Sequence, residues 1–255
     1  MTPEQPLRVM IVDDEAPARN RVRDLLSDCA AKLPLEIAGE AENGRKALDL
    51  LSQCEVDVVL LDIRMPEIDG LEVAQHMLRL EDPPAVIFTT AYDAYALKAF
   101  EVHAVDYLLK PIRLARLYDA LLRVRTVSPL RLDILREIKP EARTHLSVAE
   151  RGRIHLIPIA EIIFLKAELK YVTVRTSARE YLLEESLARL EQEFLGRFVR
   201  VHRNCLVSKE AIRGFEREID ADGEGRWVVI LRDITEKLAV SRRQQHIVRE
   251  FGKLP

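Results

Sequence analysis

The chain reads as a doubly wound α/β domain followed by a mostly β domain. Strand-like apolar runs alternate with helical stretches from Leu7 to Thr126, the order expected of a parallel sheet covered on both faces. Two of those runs end in acid, Val9-Met10-Ile11-Val12-Asp13-Asp14-Glu15 and Val56-Asp57-Val58-Val59-Leu60-Leu61-Asp62. Beyond Arg143 the alternation gives way to short runs rich in Val, Ile and Tyr, the texture of β structure.

Taken in order, the first strand falls near 8–12. A helix over 16–33 follows, in which Val22, Leu25 and Leu26 recur at helical spacing and turn one face to the sheet. A strand over 35–41 and a helix over 44–53 come next. The strand over 56–61 is nearly continuous in apolar residues, as a strand buried on both faces must be. Pro66 and Gly70 open the way to a helix over 70–80, the glycine shaping the loop. Strands over 85–89 and 106–109, with helices over 94–101 and 113–125, complete five of each. Pro129 and Pro140 bracket a charged segment, so 127–143 reads as a linker between a domain over 1–126 and another over 144–255. In the latter, strands are expected at 154–157, 162–165, 171–176, 198–201, 227–231 and 238–240. Leu187, Leu190 and Phe194 share one face of a helix over 186–194, and a second helix over 242–251 takes Ser241 as its N-cap.

At 255 residues there is room for two cores. Charge is unevenly divided: residues 1–143 hold 19 Lys and Arg against 25 Asp and Glu, whereas 144–255 hold 20 against 17. An acidic half suits a metal site, and a basic half permits nucleic acid. Cys29, Cys54 and Cys205 are three in number and widely spaced, which argues against a disulfide framework or metal cluster and for reduced thiols in or near a core. No run approaches the ~20 apolar residues of a membrane span. The start, Met1 to Pro6, has neither the basic residues nor the apolar body of a signal peptide, so the chain is expected to be cytoplasmic.

A parallel sheet gathers Asp13, Asp14 and Asp62 at its C-terminal edge, where open α/β sheets bind ligands. Val86-Ile87-Phe88-Thr89-Thr90 and Asp106-Tyr107-Leu108-Leu109-Lys110-Pro111 deliver a hydroxyl and an ammonium to the same crevice. Clustered carboxylates repel one another unless a cation holds them, and a hard ion such as Mg²⁺ prefers oxygen ligands of this kind. Asp62 is then placed to attack a phosphoryl group, with Thr90 and Lys110 as donors to the transferred oxygens. On these residues, 7–126 resembles a response-regulator receiver domain. The resemblance implies the flavodoxin-like strand order 2-1-3-4-5 and phosphorylation of Asp62 by a sensor histidine kinase. It also implies Mg²⁺ held by Asp14 directly, by Asp13 through water, by Asp62 and by the backbone carbonyl of Arg64. Thr90 and Tyr107 would form the switch, and Lys110 would precede a cis Pro111.

In the second half, Phe198-Val199-Arg200-Val201-His202-Arg203-Asn204-Cys205-Leu206-Val207 sets polar donors between two apolar strand segments. Arg pairs with guanine and Asn with adenine, while His and Lys hold phosphates. Val240-Ser241-Arg242-Arg243 puts two cations at an expected helix start. The macrodipole disfavours them there by ~0.3–1 kcal/mol each, which an external anion would relieve. With Ile163-Phe164-Leu165-Lys166-Ala167-Glu168-Leu169-Lys170-Tyr171-Val172, these segments make 144–255 resemble the LytTR DNA-binding domain, the output module of the LytR/AlgR response regulators. By that resemblance Lys170, Tyr171, His202, Arg203, Asn204, Ser241, Arg242 and Arg243 face duplex DNA, with base contacts near Tyr171, Arg203 and Arg242. It further implies a homodimer, promoted by phosphorylation, on repeated promoter sites. The alternative reading is a phosphorylation-independent transcription factor with a structural receiver. An enzymatic output lacks support, since 144–255 carries no Gly-rich nucleotide motif or nucleophile elbow, and an RNA-binding antiterminator is disfavoured by the β-rich output.

Overall fold

The computed structural model describes residues 5–80, 82–91, 105–124, 142–150, 153–219 and 225–251, and these form two compact units. In the first, strands β1 (Leu7–Val12), β2 (Leu35–Ala41), β3 (Val58–Asp62), β4 (Ala85–Thr90) and β5 (Asp106–Leu109) form one parallel sheet in the order β2-β1-β3-β4-β5. Four described helices belong to it: α1 (Ala16–Ala30), α2 (Gly44–Leu51), α3 (Gly70–Met77) and α4 (Leu114–Val124). The helix expected over 94–101 lies outside the described residues.

Alternation along the strands builds two layers. Val9, Ile11, Val58, Leu60 and Ile87 pack with Val22, Leu25 and Leu26 of α1 and Leu117 and Leu121 of α4. The intervening Met10, Val59, Leu61 and Phe88 are also buried, as both faces of a parallel sheet must be. Helices α2 and α3 begin at side-chain caps: Asn43 Oδ1 accepts from the Lys46 amide and Asp69 Oδ1 from the Glu72 amide. Helix α1 stops three residues short of the expected end, because the amides of Lys32 and Leu33 both turn back to the Cys29 carbonyl. Strand β3 runs one residue further than expected and takes in Asp62 itself. That extension fixes the carboxylate on a rigid element rather than on a loop.

The second unit is antiparallel. Strands β8 (Ile162–Glu168), β9 (Tyr171–Thr176), β10 (Glu180–Leu183), β11 (Phe198–His202) and β12 (Cys205–Ser208) form a sheet in the order β10-β9-β8-β12-β11. On one face Leu165, Val172, Val174 and Leu206 meet Leu187, Leu190 and Phe194 around helix α5 (Leu187–Glu193). The same cluster includes Leu146 and Ile157 from the hairpin β6 (His145–Glu150)–β7 (Arg153–Pro158). On the other face Phe164, Cys205 and Val207 meet Val229, Leu231 and Leu238 of a three-stranded sheet, β13 (Ile212–Ile219), β14 (Gly225–Leu231) and β15 (Leu238–Ala239). Arg143, placed by sequence in the linker, is buried: its guanidinium bonds Glu193 at 2.7 and 2.8 Å and Glu185 at 3.1 Å. The cysteines are free, two of them buried, and burial pushes the Cys205 thiol up to about 12, which makes it a packing residue rather than a nucleophile. No described helix is long and apolar enough to cross a membrane.

The largest departure from expectation is at the C-terminal helix. In place of a single helix over 242–251, residues Arg242–Gln244 form a one-turn 3₁₀ segment, and helix α6 covers only His246–Phe251. Ser241 stands at the cap position without a side-chain bond. A three-residue turn sums very little dipole, so the penalty expected for Arg242 and Arg243 does not arise. Their accumulation there needs another cause.

Candidate functional site

At the C-terminal edge of the parallel sheet, Asp13 follows β1 with its amide on the Ala41 carbonyl, and Asp62 closes β3. Both are buried, whereas Asp14 is exposed. One carboxylate oxygen from each of the three lies within 4.8 Å of the others. Lys110 Nζ reaches in from the end of β5, 2.6 Å from Asp13 Oδ2 and 3.1 Å from Asp62 Oδ2. Its backbone amide donates to the Thr90 carbonyl at 2.7 Å, and its bond to Pro111 is cis.

The electrostatics are those of an anion cluster with one cation too few. Burial pushes the Asp62 carboxyl up, against the pull of Lys110. Burial alone would lower Lys110, but Asp13 and Asp62 together hold its ammonium above the ordinary range. Three carboxylates facing one ammonium leave room for a second, compact cation with oxygen preference, and the donor set therefore fits a hard divalent metal. Thr90 is fully buried at the end of β4 and Tyr107 is buried on β5, opposite Phe88. Arg64 lies exposed in the loop two residues beyond Asp62.

Gly70 contributes more than the loop shape expected of it. A methyl group built there would sit 2.0 Å from the Asp62 carbonyl oxygen, and the Gly70 amide donates to Ile63 O at 2.9 Å. Helix α3 thus starts directly on the backbone that carries Asp62, a close approach only glycine permits.

The second unit assembles a different surface from three turns. Leu169 and Lys170 connect β8 to β9, and Leu169 is left-handed at φ 53°. Lys170 Nζ stands 5.5 Å from the centroid of the half-buried Tyr171 ring and 3.9 Å from Glu184. Arg203 and Asn204 connect β11 to β12. The backbone ties these turns together: the Ala167 amide donates to the Asn204 carbonyl at 2.8 Å, and Asn204 Nδ2 to the Ala167 carbonyl at 3.3 Å. The third segment joins through Ser241, whose amide donates to the Val201 carbonyl at 2.9 Å. Arg203, Lys170, Arg242 and Arg243 are exposed on this assembly.

Two of the expected DNA contacts also have partners within the unit: Asn204 Oδ1 meets His202 Nδ1 and Asn204 Nδ2 donates to the Ala167 carbonyl, so the Asn204 amide braces the turn. Sequence reasoning overlooked Arg200, whose guanidinium reaches the Arg203 carbonyl; its place in an alternating strand gave no sign of this.

Two family models match: a response regulator receiver domain over residues 9–122 and a LytTr DNA-binding domain over 152–253. The positive alginate biosynthesis regulatory protein of Pseudomonas aeruginosa is 44% identical over 252 residues, 96% of this chain and 98% of that protein. The chain belongs to the response regulators with a LytTR DNA-binding domain. A response regulatory protein of Vibrio cholerae is 36% identical over 264 residues, covering 96% of this chain and 98% of its own. Among solved structures, the response regulatory domain of mrkE from Klebsiella pneumoniae is 33% identical over 47% of this chain and 96% of its own, with a TM-score of 0.42. This response regulator is therefore a DNA-binding transcriptional regulator whose receiver implies a histidine kinase as partner. Its acidic edge is the kind of pocket in which receivers hold a divalent metal.

Proposed function

We propose that Asp62 is the phosphoryl acceptor and that its modification controls duplex DNA binding by the second unit. One observation carries this reading: Asp62 is buried at a strand end, within 4.8 Å of two further carboxylates, and has Lys110 Nζ at 3.1 Å. An Asp62 carboxylate oxygen forms the new P–O bond as the P–N bond of the kinase phosphohistidine breaks, its electron pair returning to the imidazole. Lys110, already held by Asp13, neutralises charge on the transferred group. Asp13, Asp14, Asp62 and the Arg64 carbonyl would hold Mg²⁺, which when bound offsets the charge of the carboxylates and phosphoryl oxygens.

The switch runs through Thr90 and Tyr107. Thr90 is coupled to Lys110 through its own carbonyl, so a group that draws the Thr90 hydroxyl toward Asp62 also acts on the end of β5, the strand that carries Tyr107. The effect is a shift of population between receiver states. The domains run 1–126 and 144–255 with a linker at 127–143, whose last residue, Arg143, is anchored by Glu185 and Glu193. In the second domain Arg203 and Arg242 contact bases beside Tyr171, and Lys170, Ser241 and Arg243 contact the phosphate backbone. Phosphorylation promotes a homodimer on repeated promoter sites, in the cytoplasm, and linkage raises occupancy without a new base contact.

The test is chemical. With Mg²⁺ and a small-molecule phosphodonor, intact-mass measurement should show one base-labile phosphoryl adduct on the full chain and none on Asp62→Asn; equal labelling of the variant sinks the assignment. Asp14→Asn should lose most of the Mg²⁺ affinity seen by calorimetry. The only tryptophan, Trp227, lies in the other domain, so intrinsic fluorescence is a poor reporter of that event.

A further inference from the structure

The β11–β12 hairpin departs from regular pairing at one place. Phe198, Val199 and Arg200 pair with Ser208, Val207 and Leu206, but His202 then pairs with Cys205, leaving one extra residue, Val201, on β11. Such a bulge bends its strand and re-aims the side chains beyond it. Here it lies between Arg200 and the turn that carries Arg203. The Val201 side chain is fully buried and its carbonyl receives the Ser241 amide at 2.9 Å.

Arg200 spans this bulge. Its Nε and one terminal nitrogen bond Glu191 Oε2 of α5 at 2.9 and 2.5 Å, and its other terminal nitrogen bonds the Arg203 carbonyl at 2.7 Å. Charge-assisted bonds from a planar guanidinium fix direction as well as distance. The side chain is only 19% exposed, whereas Arg203 is exposed and no partner for its guanidinium is found among the described residues. One arginine is turned inward and held at two ends, and the other is presented outward by the carbonyl that the first one grips.

We infer that Arg200, locked to Glu191, is a positioning residue for DNA recognition: it sets the direction in which Arg203 leaves the turn and so governs sequence preference without touching DNA. The inference rests on the reading of Arg203 as a base contact. It has a sign that separates it from the obvious rival. Were Arg200 itself a phosphate contact, Glu191 would compete with DNA for it, and removing Glu191 would strengthen binding to any duplex without harming preference. As a positioning residue, Arg200 needs Glu191, and preference falls when Glu191 is lost.

The experiment uses the full chain, a duplex that the wild type selects from a random-sequence pool, and a scrambled version of it, titrated at several salt concentrations. Arg200→Ala should lower the ratio of selected to scrambled affinity by roughly five- to tenfold, the low end of one base contact, with scrambled affinity and salt slope unchanged. Glu191→Gln should lower the ratio too, and Arg200→Lys should restore part of it. Arg200→Ala combined with Arg203→Ala should be no worse than Arg203→Ala alone, the non-additivity of residues acting in series. Equal loss on both duplexes with a salt slope reduced by about one makes Arg200 a phosphate contact and overturns the inference, as does an additive double variant. Should Arg200→Ala fail to fold, Glu191→Gln decides, and an unchanged ratio there overturns it. An Arg203→Ala protein that keeps full preference overturns the reading of Arg203 and the inference with it; loss in Arg203→Ala alone overturns only the inference.

Discussion

Asp62 and Arg203 both stand where a strand gives way to a turn, yet they are mounted in opposite ways. Asp62 is 5% exposed, belongs to its strand, and lies under a helix that starts on its own carbonyl. Arg203 projects from a two-residue turn whose position depends on a bulge, a buried carbonyl and another arginine. The proposed acceptor pocket holds like charges together against their repulsion, and burial raises the cost of ionising Asp62. The proposed DNA surface keeps its cations in water, where they cost little, and is ordered by backbone bonds between turns. A reacting carboxylate must be fixed to within fractions of an ångström, whereas long cationic side chains need only a correctly placed root.

This contrast can be broken most sharply at Gly70. Gly70→Ala forces a methyl group against the Asp62 carbonyl. It should destabilise the first unit by about 3 kcal/mol, the upper end of ordinary overpacking, and abolish phosphoryl labelling. The 144–255 unit should keep its unfolding transition, so calorimetry should show one transition moving and one staying. Two transitions moving together would mean that the domains unfold as one.

On the DNA side the expected effects are smaller and separable. Arg203→Ala should cost ~1–3 kcal/mol on the preferred duplex and relax preference at one position. Arg243→Ala should weaken all duplexes alike and reduce the salt slope by about one. Salt-dependent titration of both variants against selected and scrambled duplexes checks this. Binding at full affinity by the Asp62→Asn protein would favour a receiver that serves structure alone.

The smallest effect tests the cost of the buried charge itself. The Asp62 carboxyl titrates above its unfolded value, so below the unfolded value it takes nothing from stability. As pH rises through the folded value, ionisation inside the pocket becomes a penalty that the unfolded chain does not feel. Asp62→Asn should therefore melt slightly higher than wild type at neutral pH without divalent metal, and the gap should close as pH falls through the carboxylate range. Mg²⁺ should close it from the other side by stabilising the wild type more than the variant. A variant that melts lower at neutral pH would show that the pairing with Lys110 outweighs burial.

By itself the sequence determined the alternation of strands and helices in the first half, the β texture of the second, and the acids, hydroxyl and lysine that mark the receiver. These were legible because each depends on local pattern: apolar runs of strand length with a carboxylate at their end; the caps Asp69 and Ser186, each accepting the amide three residues on, emerge only from the structure. Strand β13 was not expected, because its half-exposed, charged run with Gly214 looks like a loop until β14 pairs with it. Arg143 looked like linker because two glutamates more than forty residues away decide its burial. Gly70 looked like punctuation because the carbonyl it must clear belongs to another element. The helix drawn over 242–251 rested on Ser241 as its N-cap, but the chain there folds into a 3₁₀ turn closed by the Gln244 amide on the Ser241 carbonyl, and the helix starts only at His246. Asn204 was read for its chemistry alone, and only the neighbouring hairpin shows that its amide also donates to the Ala167 carbonyl. Local propensity and periodicity are written along the chain. Which buried charge finds a partner, which glycine is obligatory and which polar side chain is left for a ligand are set by contacts between distant segments, and only the tertiary structure decides them.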